Sequence, residues 1–577
     1  MISKNKNLFL KIYIPFVIIT IIALIVLQIL GSKKRVGYLT DFNLEIYRTL
    51  ELNNLNDIIE YFSINEELDE EGIKNYLLTN ENITNYVHHF RIRYYDKTFR
   101  NNDIYGVYPD LSNLPDYMEN AEMDEGGSPY GNFISNKKEI NEDKIDNISY
   151  ILKVKYILIY SLFYISVSII IYYVFLYFYY KGQKNLRLYF CILMSLSVLI
   201  FFISLIIQKG GYQLNVVLNG WDLFADFYNQ LIYVAERDVY FNTINGASNH
   251  SYLPLAFMMF YPFSIFRDYA NMDLFAIQTD PISNVSFVIF MSFGILLFFL
   301  YLKDLDKKDK YSNIIMILIF FSSANLFNIE RGNNMVYAVA FVAIFLALYK
   351  SKNRTQQIIA FISLGLASAL KIYPAVLGLL LLQEKRYKDV FIASIITLIL
   401  VFLPFLFFKN GLHNIPRLFY NMKELANSYG IRYGFYSIIR VLPNSYQYAK
   451  LFTIIGYILM LVSIIYSFTI NEYWKKVCLL SMFIIHQPTT AYYAELFLYP
   501  SIILFLSKEN FFKQDLIFLI LFSLHLMPLQ IPFIVSLNLV PIISIIIWLI
   551  ILFEAIINNS GILISYCENF KNKFLKN

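Results

Sequence analysis

The chain has 577 residues, of which 57% are hydrophobic, 18% aromatic and only 16% charged, with a mean hydropathy of +0.49. A soluble domain is about 45–50% apolar and about 25% charged, so this composition excludes a soluble globular protein. The formal net charge of +5 says less than the placement of the basic residues, and Cys191, Cys478 and Cys567 lie outside the one long polar segment, so no disulfide framework is indicated.

A basic start (Lys4, Lys6, Lys11) leads into an apolar run over residues 8–30. The run is longer than the about 7–15 residues of a signal-peptide core, and a transmembrane anchor over 1–30 is expected. Residues 31–153 are polar, with 23 acidic and 13 basic side chains, a balance of −10. This segment carries no catalytic motif and is expected to be an acidic extracytoplasmic addition, long enough for a small domain. Apolar segments then recur at 154–179, 186–207, 285–302, 311–328, 334–349, 356–370, 373–383, 388–408, 450–470, 475–487, 492–506, 514–530 and 536–557. A bilayer-spanning helix needs about 20 residues. The shorter runs therefore imply broken helices, which are tolerated only where they face protein or a watery cavity. The expectation is an all-α polytopic membrane protein, a bundle of about 12–14 transmembrane helices over 154–560 with a basic tail at 561–577.

Cytoplasmic loops carry an excess of Lys and Arg. With the N-terminus inside, the loops around Lys181–Arg187, Lys303–Lys310, Lys350–Arg354, Gln383–Lys388, Glu472–Lys476 and Lys508–Lys513 all fall inside, and each is basic. Lys33, Lys34 and Arg35 oppose this scheme, but long segments translocate largely regardless of charge. Heavy use of Ile, Asn, Lys, Phe and Tyr points to an AT-rich bacterial genome, hence to a bacterial inner membrane.

Three polar clusters then share the external face: Trp221, Asp222, Asp226, Tyr228 and Asn229; Glu330 to Asn334, with Arg331 and Asn333; and Lys371 to Pro374, with Tyr373. Ionisable groups at membrane depth are costly and mark function. A carboxylate, an arginine and a lysine at one level suit acid–base chemistry on an anionic substrate, because both cations pair with phosphate. Asp222 and Asp226 are four apart and would share a helix face. Asp304-Leu305-Asp306 has the form of a metal-binding pair, but it lies in a run of alternating charge read as a solvated face. His250 and His486 lack metal-ligand spacing and are expected to be structural. No phosphate-binding glycine loop or zinc-type cysteine pair occurs.

In this order the clusters resemble the polyprenyl-phosphate-mannose-dependent mannosyltransferases, a family of GT-C fold glycosyltransferases. The resemblance rests on Asp226-Phe227-Tyr228, Tyr252-Leu253-Pro254-Leu255, Arg331-Gly332-Asn333, Gly365-Leu366-Ala367 and Lys371-Ile372-Tyr373-Pro374, and it covers residues 185–410 best. It implies inverting transfer of a hexose, mannose first, from a polyprenyl-phosphate sugar to a lipid-linked or surface glycan acceptor outside the membrane. Asp226 would be the base, with Asp222 assisting or orienting. Arg331 and Lys371 would hold the donor phosphate. Tyr228, Asn229, Asn333, Tyr373 and Tyr252 would contact substrate, while Trp221 and Tyr240 would stack on sugar or lipid. Partners would be donor, acceptor and membrane lipids, with no nucleic acid. The resemblance does not settle whether a divalent cation takes part, and the sequence offers no dedicated ligand set. The chain departs from the family at 488–493, where a His-Tyr pair is replaced by Tyr492-Tyr493.

Other readings are a flippase or transporter, which would show paired repeats, a polymerase or ligase using the loop 409–450 with Arg417, Arg432, Arg440 and His413, and a scaffold whose acidic segment binds a partner. No similarity between the two halves is found.

Overall fold

The computed structural model describes residues 164–207, 224–242, 246–272, 274–429, 433–438, 448–528 and 539–574, four strands between 63 and 107, and a few isolated positions. The chain divides into two compact units, Ile22–Asn147 and the remainder. In the smaller unit β1 (Ser63–Ile64) pairs with β2 (Glu67–Leu68), and β3 (His89–Tyr95) pairs with β4 (Asn101–Val107), both antiparallel. The β3 sequence alternates Phe90, Ile92 and Tyr94 with Arg91 and Arg93, the period of two that a strand requires. The acidic segment thus carries β structure, and helix is confined to the larger unit among the described residues.

Every apolar segment expected between 154 and 557 has a helical counterpart. The helices are α1 (Tyr164–Tyr180), α2 (Leu186–Ile207), α3 (Ala225–Val234), α4 (Pro254–Met258), α5 (Pro281–Asp304), α6 (Ser312–Phe320), α7 (Ser323–Arg331), α8 (Met335–Leu348) and α9 (Arg354–Leu370). They continue with α10 (Tyr387–Phe402), α11 (Asn414–Tyr429), α12 (Ala449–Ser467), α13 (Tyr473–Ile485), α14 (Tyr499–Leu506), α15 (Asp515–Leu526) and α16 (Leu539–Phe574). Among the described residues five helices are long and apolar enough to cross a membrane, or six if α6 and α7, bent by 53°, form one broken span. Shorter apolar helices surround them, several joined to 3-10 turns such as Tyr373–Gly378 and Tyr492–Leu498.

The centre is α8, apolar on all sides and buried along nearly its whole length. A helix apolar all round belongs inside other helices. Helix α5 crosses it at Gly294, where a Cβ would come within 2.7 Å of Val336 and 2.8 Å of Tyr337. On the other side α9 offers Ser363, Ala367, Ser368 and Ala369, all small and buried, while its Gly365 meets α10, where a Cβ would come within 2.9 Å of Leu400. Small residues let backbones approach where lipid supplies no hydrophobic drive. By contrast α10 and α12 expose Phe391, Leu398 and Leu461, the pattern of outer helices that face acyl chains.

One expectation is corrected here. Asp306 is buried and belongs to no solvated charge run. The Arg187 guanidinium, 2% exposed, grips both Asp306 oxygens, Ser507 Oγ donates to the same carboxylate at 3.0 Å, and Asp309 pairs with Arg187 at 2.9 Å. This cluster ties the start of α2 to the segments that follow α5 and α14. Removing one partner of a buried pair strands the other charge and costs about 3–5 kcal/mol. Arg187→Ala is therefore expected to lower the thermal midpoint of the detergent-solubilised protein by many degrees, and the double variant Arg187→Met/Asp306→Leu is expected to recover part of that loss. An unchanged midpoint for Arg187→Ala would contradict the assignment.

Candidate active site

At the end of α5 opposite to that cluster, three chain segments meet. Helix α3 starts at Phe224, whose φ of 57° is left-handed and whose N–H donates to the Glu330 carbonyl at 2.7 Å. Its inner face, Phe227, Tyr228 and Leu231, is fully buried. Asp226 sits in the first turn, where the exposed N–H groups of a helix favour a carboxylate.

Facing it is the end of α7. Gly332 N–H bonds to the Ile329 carbonyl at 3.1 Å and Asn333 N–H to the Asn328 carbonyl at 3.3 Å, the Schellman closure of a helix. The closure needs a left-handed residue, and Gly332 has φ of +68°. A Cβ there would lie 2.8 Å from that of Phe227, so glycine is required twice, for conformation and for contact with α3. The turn throws Arg331 and Asn333 to the same side. Arg331 Nη2 donates to Asp226 Oδ1 at 2.5 Å and Asn333 Nδ2 to Oδ2 at 2.7 Å. The Asn333 Oδ1 in turn accepts from the Met335 N–H at 2.9 Å, at the start of α8. This fixes which way the amide points. The Asp226 and Arg331 side chains remain 18% and 19% exposed, so the pair is reachable.

The third segment is the end of α9. Lys371 is its C-cap in extended conformation, beyond the apolar span, and its ammonium lies 3.8 Å from the Tyr252 ring centroid. A cation over a π face is stabilised by the ring quadrupole, more so when desolvated. Burial lowers the ammonium to about 8, while the Asp226 charge acts the other way. Tyr252 is also raised, first by burial and then by Tyr493 and Asp226, with a hydrogen bond to Asn333 opposing. Asp226, Arg331, Asn333, Tyr252 and Lys371 thus form one electrostatic cluster.

The remaining expected residues sit differently. Asn229 lies one turn after Asp226 on the same face and is half-buried. Tyr373 turns aside, its hydroxyl 3.4 Å from Thr489 Oγ1. Tyr228 is fully buried, its hydroxyl donating to Asn284 at 2.7 Å, and Tyr240 is fully buried with its hydroxyl on the Tyr252 carbonyl at 3.0 Å. Both are packing residues, contrary to the expected contact with substrate. Trp221 and Asp222 lie outside the described residues, as do Arg432 and Arg440. His250 is buried and its Nε2 donates to the Ile244 carbonyl at 2.8 Å. Among the described residues no three His, Cys, Asp or Glu side chains converge as a metal site would need.

Tyr493, known from the sequence only as part of a departure from the family pattern, faces Phe327 of α7 with ring centroids 6.0 Å apart, and sequence reasoning passed over the buried Glu495. An acidic residue inside the apolar run 492–506 is the available signal.

Residues 250–465 match the model of glycosyltransferase family 87, which agrees with the GT-C resemblance and supports a membrane glycosyltransferase. The matched stretch holds Tyr252, Arg331, Asn333 and Lys371 and begins after Asp226. No curated protein and no solved structure matches the chain.

The Schellman turn makes a simple test. Gly332→Ala strains a left-handed residue and overpacks Phe227, at a cost of about 1–3 kcal/mol. A clearly lowered thermal midpoint is expected, and wild-type stability would show that the turn tolerates a side chain.

Proposed function

We propose that the protein transfers a hexose, with mannose the first candidate, from a polyprenyl-phosphate donor to a lipid-linked or surface glycan acceptor at the outer face of a bacterial inner membrane. The observation that carries this reading is one carboxylate, Asp226, held between an arginine and the field of a lysine at a reachable end of the bundle. In the proposed step Asp226 takes the proton of an acceptor hydroxyl as its oxygen attacks the anomeric carbon. The bond from that carbon to the phosphate oxygen breaks, and the polyprenyl phosphate leaves with the electron pair. Attack opposite the leaving group inverts configuration, so a β-linked donor gives an α-linked product. Asp222 stays in the proposal as an orienting group.

The charge that develops on the phosphate needs preorganised cations, a role given to Arg331 and Lys371. Arg331 Nη2 holds Asp226, and a guanidinium carries five N–H donors in a fork that suits phosphate. A phosphate drawing on Arg331 weakens its hold on Asp226 and makes the carboxylate a stronger base. Donor binding would in this way switch the base on, which limits wasteful hydrolysis. Asn333 keeps the carboxylate oriented meanwhile, and Asn229 and Tyr373 remain proposed substrate contacts.

The test is transfer from a panel of radiolabelled polyprenyl-phosphate sugars to cell-derived acceptor lipids by purified protein in lipid. Asp226→Asn is expected to lower transfer by about 10³-fold, within the range of acid–base catalysis. Full activity in a folded Asp226→Asn would remove the base assignment, and no transfer from any donor would shift weight to transport or ligation. Chelation with EDTA decides whether a divalent cation takes part: loss restored by Mg²⁺ or Mn²⁺ would place a metal in the step, and intact transfer would leave the step to the side chains.

Lys371 adds a pH dependence. Its ammonium loses charge as pH rises through about 8, and donor binding wants it charged. The kcat/KM for donor is therefore expected to fall above about pH 8, because that ratio reports the free enzyme. Lys371→Arg, charged throughout, is expected to move the fall to higher pH. An alkaline limb that stays in place with Arg would assign it to another group.

A further inference from the structure

A second polar cluster lies wholly inside the bundle. Glu495, fully buried, accepts from the Tyr433 hydroxyl at 2.5 Å and from Ser544 Oγ at 3.0 Å on one oxygen, and meets His525 Nε2 at 3.0 Å on the other. Ser544 Oγ also lies 3.1 Å from His486 Nε2, and the His486 ring stacks between Trp548 and Tyr433, with centroids at 5.2 and 6.0 Å. Tyr433, His525 of α15 and Ser544 of α16 meet on the one carboxylate, and His486 at the end of α13 joins through Ser544. An acid buried at this depth is maintained only when its hydrogen bonds are met.

Glu495 belongs to the segment 486–495, which has a contact on each side of the candidate site. On one side Tyr492 donates to Ser323 at 2.6 Å, and Tyr492 and Tyr493 lie against Phe327 on the helix that ends at Arg331. On the other, Thr489 Oγ1 is 3.4 Å from the hydroxyl of Tyr373, two residues after Lys371. Tyr433 N–H is bonded to the Pro488 carbonyl at 3.2 Å in the same segment. The segment therefore bridges the two chain ends that carry the cations.

We propose that Glu495 is a positioning residue, which with Tyr433, His525 and Ser544 fixes the segment 486–495 and through it the spacing of Arg331 and Lys371 for a phosphate-bearing donor. This rests on the function proposed above, and it assigns Glu495 no contact with substrate. The consequence is selective. A bridge that sets the spacing of two cations governs binding of the group they share, and leaves the acceptor untouched.

The experiment compares Glu495→Gln and Glu495→Ala with wild type in full-length protein, by kinetics and by hydrogen–deuterium exchange. Gln keeps an acceptor oxygen for Tyr433 or Ser544, while Ala leaves them without a partner. Glu495→Ala is expected to raise the donor KM by about tenfold with acceptor KM unchanged, and Glu495→Gln to recover most of the loss. Exchange is expected to rise in 486–495 and in 371–378, and to stay constant in 186–207. Equal change in both KM values, or exchange raised throughout the bundle, would mean a merely structural acid and overturn the proposal. So would exchange unchanged at 371–378. The exchange readout needs no activity, so a wild type that transfers nothing would sink the proposed function while leaving the bridge between 486–495 and 371–378 to be judged by itself.

Discussion

The candidate site depends on a single carboxylate with two fixed donors. Asp226 receives Arg331 on one oxygen and Asn333 on the other, and both donors come from one three-residue turn. The turn exists because Gly332 can be left-handed and can touch Phe227. The first turn of α3 and the last turn of α7 are thereby joined by side chains and by the Phe224–Glu330 backbone bond. A pair held from both sides in this way is already oriented before a substrate arrives, so little ordering is left to be done on binding.

Around that knot the bundle divides its work by chemistry. Small residues on α9 and the glycine of α5 bring helices close to α8. The large apolar side chains of α10 and α12 face outward. Ionic clusters mark both ends of α5, one closed and one open. The closed end, Arg187 with Asp306, is 2% exposed or less, while the open end keeps about a fifth of each side chain accessible. Burial separates a clamp from a site built of the same residue types.

The helices were legible because a bilayer demands long apolar runs, and such runs stand out without knowledge of the partners. Helix α3 did not stand out. It is short and mixes polar and apolar residues, and its position became clear only through the turn it meets. The motif residues Asp226, Arg331, Asn333, Tyr252 and Lys371 were legible as a set, while Tyr228 and Tyr240 were misjudged. On a helix a residue two positions on points to a different face, so Tyr228 turns into the core while Asp226 turns out. Asp306 was misjudged because its partner is 119 residues away, and a charge run gives no sign of which member turns inward. Glu495 had a legible anomaly, an acid among apolar neighbours, but its partners Tyr433, His525 and Ser544 come from three separate stretches of chain.

Helix α16 supplies Ser544 and Trp548 to the interior, and Ser544 follows by 49 residues the acid it meets. The cluster around Asp226, by contrast, is complete once residue 371 has been inserted. The side chains that carry the chemistry thus precede in the chain the acid proposed to hold their spacing, and that acid precedes its Ser544 partner. Without α16 the Glu495 carboxylate lacks the Ser544 hydroxyl, and a buried acid short of a hydrogen bond is costly. Docking of α16 then completes the hydrogen bonding of Glu495, so a chain cut short of residue 539 leaves that acid without its Ser544 donor.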